Sequence, residues 1–197
     1  MGGRILKYSQ AGLEMQGYLA SPAGGKVVRP SVLVVHEWWG LNDYSRHRAD
    51  LLAALGYPAL AVDLYGAGRT AAKPDEAAAL MHPLADDPAL LRARFLAALD
   101  CLREQPGVDP ARIGAIGFCF GGGVVLHMAR AGAPLKVVAS FHGNLALAIA
   151  GDAGQVRARI AVYNGEADSL ISAASIAAFD ATYAAKRGAL ASTPMAL

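Results

Sequence analysis

The chain has 197 residues, 54% of them hydrophobic, with a formal net charge of +2. That length suits one domain with a sizeable core and leaves too little for two comfortable ones. The charges are scattered, without a basic stripe or an acidic tail, so neither nucleic acid nor a membrane surface is indicated as a partner; a small neutral or weakly anionic molecule is.

The two cysteines, Cys101 and Cys119, have neither metal-site nor disulfide-framework spacing, and a reduced, cytoplasmic setting is expected. No motif asks for a metal or a cofactor. The N-terminal MGGRILKYSQ lacks the apolar core of a signal peptide. Apolar stretches are interrupted well before the roughly 18 residues a transmembrane helix needs, so none is expected.

In chain order, ILKYSQ and LEMQGYLA predict a hairpin turning at Ala11-Gly12. SPAGGKVVRP is a loop, and SVLVVHE is a Val-rich run suited to a strand buried on both faces. LNDYSRHRADLLAALG is a helix with Asn42 or Asp43 as N-cap and Gly56 at its end. PALAVDLYG is a strand, and two helical patterns follow, KPDEAAALMHPL and DDPALLRARFLAALDCLREQ. ARIGAIGF, KVVASFHG and ARIAVYNGEAD are strands, separated by the helix GGGVVLHMARAG and followed by SAASIAAFDATYAAKRG. Strands alternating with helices mean parallel pairing, with helices on both faces of the sheet. A single α/β domain over 1–197 is expected, atypical from about residue 187.

Function in such a sheet collects at the carboxyl ends of the strands. The polar residues there are Glu37, Asp63, Cys119, His142, Asn164, Glu166 and Asp168. Gly117-x-Cys119-x-Gly121 lies between a strand and a helix, the context of a nucleophile elbow. Flanking positions in so sharp a turn must lack bulk, and N–H groups at the helix head can stabilise a thiolate and a developing oxyanion. The other reading is a small apolar residue in a Gly-rich turn that cradles a phosphate, but the glycine spacing does not fit a dinucleotide fingerprint.

With VVHEWWGLND, YPALAVDLYG, VDPARIGAIGFCFGGG, VVASFHG and NGEADSLIS in this order, the chain resembles the carboxymethylenebutenolidase-like dienelactone hydrolases of the α/β-hydrolase superfamily. The resemblance implies an α/β-hydrolase fold and a lactone or small ester as substrate. It implies Cys119 as nucleophile, Asp168 as the acid that orients a histidine, and Glu37 as a carboxylate contacting the resting cysteine. The backbone N–H groups of Trp38 and Phe120 would form the oxyanion hole. Trp39, Tyr65 and His142 would line the substrate pocket. Glu37 would raise the cysteine's pKa if charged, or accept its proton, and so reads as a gate on reactivity. Trp38 and Trp39 would wall it from water. Asp168 doubles as a candidate helix N-cap. Asp63 reads as shaping its loop through backbone hydrogen bonds, and Glu166 as solvated. Arg69 is a candidate for a substrate carboxylate by position only.

A histidine is expected after the acid in this architecture, yet the five here, His36, His47, His82, His127 and His142, all precede Asp168. His127 lies about 12 Å down the helix from Cys119 at 1.5 Å per residue. His47 and His82 belong to helix surfaces, and His36 should point away from Glu37 because side chains alternate along a strand. His142 alone sits at the right edge. Its FHG element recurs in the family beside a separate later histidine, so a structural role is expected, with service as a base for Cys119 the alternative. The tail ALASTPMAL carries a Pro where a strand should be. The last strand and the histidine turn are therefore expected to be missing, with a shifted frame or truncation after Lys186 preferred to Ala191 standing in the histidine's place. A hydrolase without that base is expected to be impaired, acylating slowly and deacylating more slowly still. A missing strand would leave its neighbour's edge open, making the chain a monomer or weak homodimer.

Two other functions stay open. One is a catalytically inactive fold that binds a small ligand or a partner. The other is a redox-sensing thiol, for which no second cysteine lies nearby in sequence to resolve a sulfenate.

Overall fold

A computed structural model describes residues 2–24, 27–147, 155–165, 168–184 and 190–192; for 182–184 and 190–192 it describes the backbone. The chain divides into two compact units, Met1–Gly114 and Ala115–Leu197.

The first unit opens with strands β1 (Arg4–Gln10) and β2 (Leu13–Ala20), paired antiparallel from Arg4↔Leu19 to Gln10↔Leu13. Both turn residues are left-handed, Ala11 at φ 48° and Gly12 at 80°, the backbone that matches strand twist in a two-residue hairpin. β3 (Arg29–Val35) and β4 (Ala59–Val62) pair parallel, and β4 also takes β2 antiparallel, giving the order β1-β2-β4-β3. Leu33, Val34, Val35 and all four residues of β4 are fully buried, as a continuous apolar run predicts.

Helix α1 (Asp43–Ala54) packs on β4 and β2. Asn42 caps it, accepting from the Ser45 N–H at 3.4 Å, and Gly56 at φ 96° follows its end. Helices α2 (Pro74–Ala85) and α3 (Pro88–Arg103) each start with proline at the first turn, where its missing N–H costs nothing. Phe95, Leu99 and Leu102 give α3 a fully buried face, and the helix packs on β1. His47 and His82 are exposed on their helices, as expected of surface positions.

Strand β5 (Val108–Phe118) begins in the first unit and ends in the second. In the second unit β5, β6 (Val137–Phe141), β7 (Arg159–Tyr163) and β8 (Leu190–Ser192) pair parallel in that order. Phe118, Phe141 and Tyr163 stand side by side in register, their rings stacked at 5.0 and 4.9 Å. Helix α4 (Phe120–Arg130) is buried along its whole length, consistent with its apolar sequence, and packs on β6. A single 3-10 turn spans Leu145–Leu147, and helix α5 (Ala173–Ala184) follows β7.

The missing last strand is a point of correction. Leu190–Ser192 pairs with β7 from Ile160↔Leu190 to Val162↔Ser192, so β7 is covered on that side. Pro194 lies beyond these residues, and a strand of only three residues, Leu-Ala-Ser, shows little alternation to read. Among the described residues no helix is long and apolar enough to cross a membrane.

Candidate active site

In the second unit the site is built on three neighbouring strand ends. Cys119 directly follows β5 at φ 52° and ψ −117°, a conformation L-residues avoid, and α4 begins at the next residue. The Cys119 carbonyl accepts from the Gly122 and Gly123 N–H groups at 3.0 and 3.3 Å, which closes the first helical turn beneath it. Gly117 is required here. A Cβ at that position would lie 2.0 Å from the Gly121 carbonyl oxygen, so strand and helix can meet only across a bare Cα.

The Cys119 N–H donates to the Phe141 carbonyl at 3.0 Å, tying the elbow to the end of β6. The residue after Phe141 is His142, also left-handed at φ 54°, and its N–H donates to the Tyr163 carbonyl at 2.8 Å. Gly143 then packs against α4: a Cβ there would meet Gly122 backbone at 2.7 Å and Ser140 Oγ at 2.1 Å. The elbow and the His142 turn are thus pressed together by two glycines.

The His142 ring, expected to be structural, is hydrogen-bonded through Nδ1 to Asp168 Oδ2. An ionised carboxylate only accepts, so Nδ1 carries the hydrogen and Nε2 is the basic nitrogen of the neutral ring. The imidazole is 44% exposed, whereas the Asp168 side chain is only 9% exposed. Oδ1 of Asp168 accepts from the Leu170 N–H at 2.9 Å, a local turn rather than a helix cap. The N–H of Ser175 in the first turn of α5 donates instead to Ser172 Oγ at 3.1 Å. Burial pushes the Asp168 pKa up, but the Leu170 and Ile171 N–H groups, the His142 hydrogen bond and the attraction of that ring's protonated form outweigh it, and the net shift is downward.

A folded-state carboxyl held below its unfolded value adds stability above the unfolded value and loses it as pH falls through the folded one. The stability difference between the native chain and Asp168→Asn should therefore persist at pH 5 and above and shrink only as pH falls below about 4. Urea melts of both proteins at stepped pH check it; a difference already gone at pH 5 would contradict the assignment. Glu166 lies outside the described residues. Asn164 is buried at the end of β7, and His127 is buried within α4.

In the first unit, His36 ends β3's run and is fully enclosed. Its Nε2 accepts from the Leu64 N–H at 3.3 Å, so Nδ1 donates, to the Glu37 carbonyl; burial lowers its pKa and keeps it neutral. With both nitrogens committed, His36 is a positioning residue for the loop that follows. Glu37, Trp38 and Trp39 are half-buried in that loop, the two indoles 4.9 Å apart. Tyr65, expected in the pocket lining, is buried, and its hydroxyl donates to the Trp38 carbonyl at 2.8 Å. Its observed work is to hold the Trp38 backbone.

Asp63 organises the neighbouring loop as expected. Oδ1 accepts from the N–H groups of Tyr65 and Gly66 at 3.0 and 2.7 Å, and Oδ2 from Gln16 and Gly68 at 2.9 Å each. Arg69 donates from Nε to the Gly66 carbonyl at 3.2 Å and from a terminal nitrogen to Tyr65, so its guanidinium is spent on the backbone. Arg94 donates to the Leu64 carbonyl at 2.7 Å; burial, with Arg69 beside it, lowers its pKa. Among the described residues no cluster of three or more His, Cys, Asp or Glu side chains could hold a metal ion.

Sequence reasoning did not supply the contact of His142 with Asp168. Its only sequence signal is that FHG and NGEAD close consecutive strands; the left-handed backbone that turns the ring has no signature in FHG itself.

The model of the dienelactone hydrolase family matches residues 15–191. An Aquifex aeolicus protein assigned the name carboxymethylenebutenolidase is 35% identical over 131 residues, covering 64% of this chain and 55% of the relative. Among solved structures, m3DLH is 38% identical with a TM-score of 0.92, covering 98% of this chain and 80% of that one. A dienelactone-hydrolase-like promiscuous phosphotriesterase from metagenomic libraries is 33% identical, with a TM-score of 0.91 and coverage of 98% and 81%. The chain spans little more than half the length of the curated relatives it matches.

Proposed function

The chain belongs to the dienelactone hydrolase family, and from that premise we propose that it opens a lactone or a small activated ester by attack of Cys119. The observation that carries this reading is the backbone of Cys119, left-handed at φ 52° between the last residue of β5 and the first of α4. A strained nucleophile at the head of a buried helix is the arrangement a strand-to-helix elbow requires.

The sulfur bonds to the substrate carbonyl carbon, and the charge that develops on oxygen is met by the backbone N–H of Phe120 at the head of α4. Collapse breaks the acyl C–O bond, the alkoxide leaves with a proton, and water then releases the acid and restores the thiol. Asp168 holds the histidine that moves these protons. The family match over residues 15–191 supports reading 1–197 as one domain.

The test is hydrolysis of p-nitrophenyl acetate followed from the first seconds, with Cys119→Ala as control. Turnover that disappears in the variant is the expected result. Release of nitrophenol at the same rate in both proteins would sink the reading and leave a ligand-binding fold without a working cysteine.

A further inference from the structure

In the family's pattern, the acid after β7 serves a histidine later in the chain. Here the carboxylate of Asp168 is already bonded to an earlier one, His142. We propose that His142 is the general base for Cys119, oriented by Asp168; this rests on Cys119 being the nucleophile.

Placement supports the role. Cys119 and His142 each directly follow one of two paired parallel strands, in the register Phe118↔Phe141, and the Cys119 N–H is bonded to the residue before His142. In the second unit these are the two described non-glycine residues at positive φ. Strain of that kind persists where the surroundings fix it, and here it falls on two residues at the same sheet edge. Orientation supports it as well. With Nδ1 donating to Asp168, the ring presents Nε2 as its basic atom, and the 44% exposure of the side chain leaves it accessible to a substrate and to water. The alternatives within this unit are few: His127 is buried farther along α4.

The proton inventory closes on one nitrogen. Nε2 takes the Sγ proton as sulfur bonds to the carbonyl carbon, and the imidazolium is stabilised by Asp168. It gives that proton to the leaving alkoxide as the C–O bond breaks. It then takes a proton from water as hydroxide attacks the thioester, and returns it to the departing sulfur.

The experiment uses the full chain and two variants, His142→Gly and His142→Asn, both of which accept a left-handed backbone. Each is first compared with the native protein by circular dichroism. The readouts are p-nitrophenyl acetate turnover with and without added imidazole, and the pH profile of Cys119 alkylation by iodoacetamide. The expected loss of turnover is on the order of 10²- to 10⁴-fold. Imidazole should restore turnover at least about tenfold in His142→Gly but not in Cys119→Ala. The alkylation profile of the variants should be displaced to higher pH than the native one. Variants that fold yet keep native turnover and the native alkylation profile overturn the proposal. If the native chain shows no Cys119-dependent turnover, the hydrolase reading fails by itself, and the alkylation profile still decides whether His142 acts on the cysteine.

Discussion

Cys119→Gly should abolish ester turnover by about a thousandfold or more while making the protein more stable. The two effects have one cause. At φ 52° and ψ −117°, Cys119 sits where an L-residue carries strain on the order of 1–3 kcal/mol and glycine carries none. Glycine gives back about 0.5–1 kcal/mol through the greater freedom of the unfolded chain, so a net gain near 1 kcal/mol remains. For a chain of this size that is about 2–4 °C in Tm. Cys119→Ala should lose the same activity without the gain, because alanine inherits the backbone strain. Thermal melts of the three proteins separate strain from any packing role of the sulfur. A Cys119→Gly variant less stable than Cys119→Ala would mean that the elbow is not strained.

Gly117→Ala is expected to be the most damaging single methyl in the second unit. Its Cβ would fall 2.0 Å from the Gly121 oxygen and 2.3 Å from the Gly121 carbon. Both atoms are backbone in the first turn of a helix buried along its length, so no rotamer change relieves the overlap. Either α4 moves off β5 or the turn opens, at a cost of about 4 kcal/mol or more. Urea unfolding should show a large drop in midpoint with the slope nearly unchanged. Gly122 makes a useful comparison, since an added methyl there would meet the Gly143 Cα and Ser140 Oγ at 2.7 Å each. A hydroxyl can rotate away and a loop can shift, so the loss there should be smaller. Equal losses would show that crowding at Gly117 is not what sets its cost.

Several features of this protein are local and could be read directly. The hairpin at Ala11-Gly12, the Asn42 cap, the proline starts of α2 and α3, and the buried runs of β3 and β4 each depend on a few adjacent residues. The elbow is equally local, because Gly117, Cys119 and Gly121 lie within one strand-to-helix turn, where a Cβ at Gly117 would overlap the Gly121 carbonyl. Asp63 belongs to this group too, since three of its four N–H partners lie within five residues.

What the tertiary structure alone decided is which histidine belongs to which acid. His142 and Asp168 are 26 residues apart, and they meet because β5, β6 and β7 lie next to one another in register. The left-handed turn at His142 then swings the ring toward the end of β7. Strand order and register are set by packing across the whole sheet, and a residue's handedness at a strand end by the contacts that hold it there. The same reason covers β8. Three residues, Leu-Ala-Ser, carry almost no strand signal of their own, and they become a strand because β7 offers them an edge to pair with.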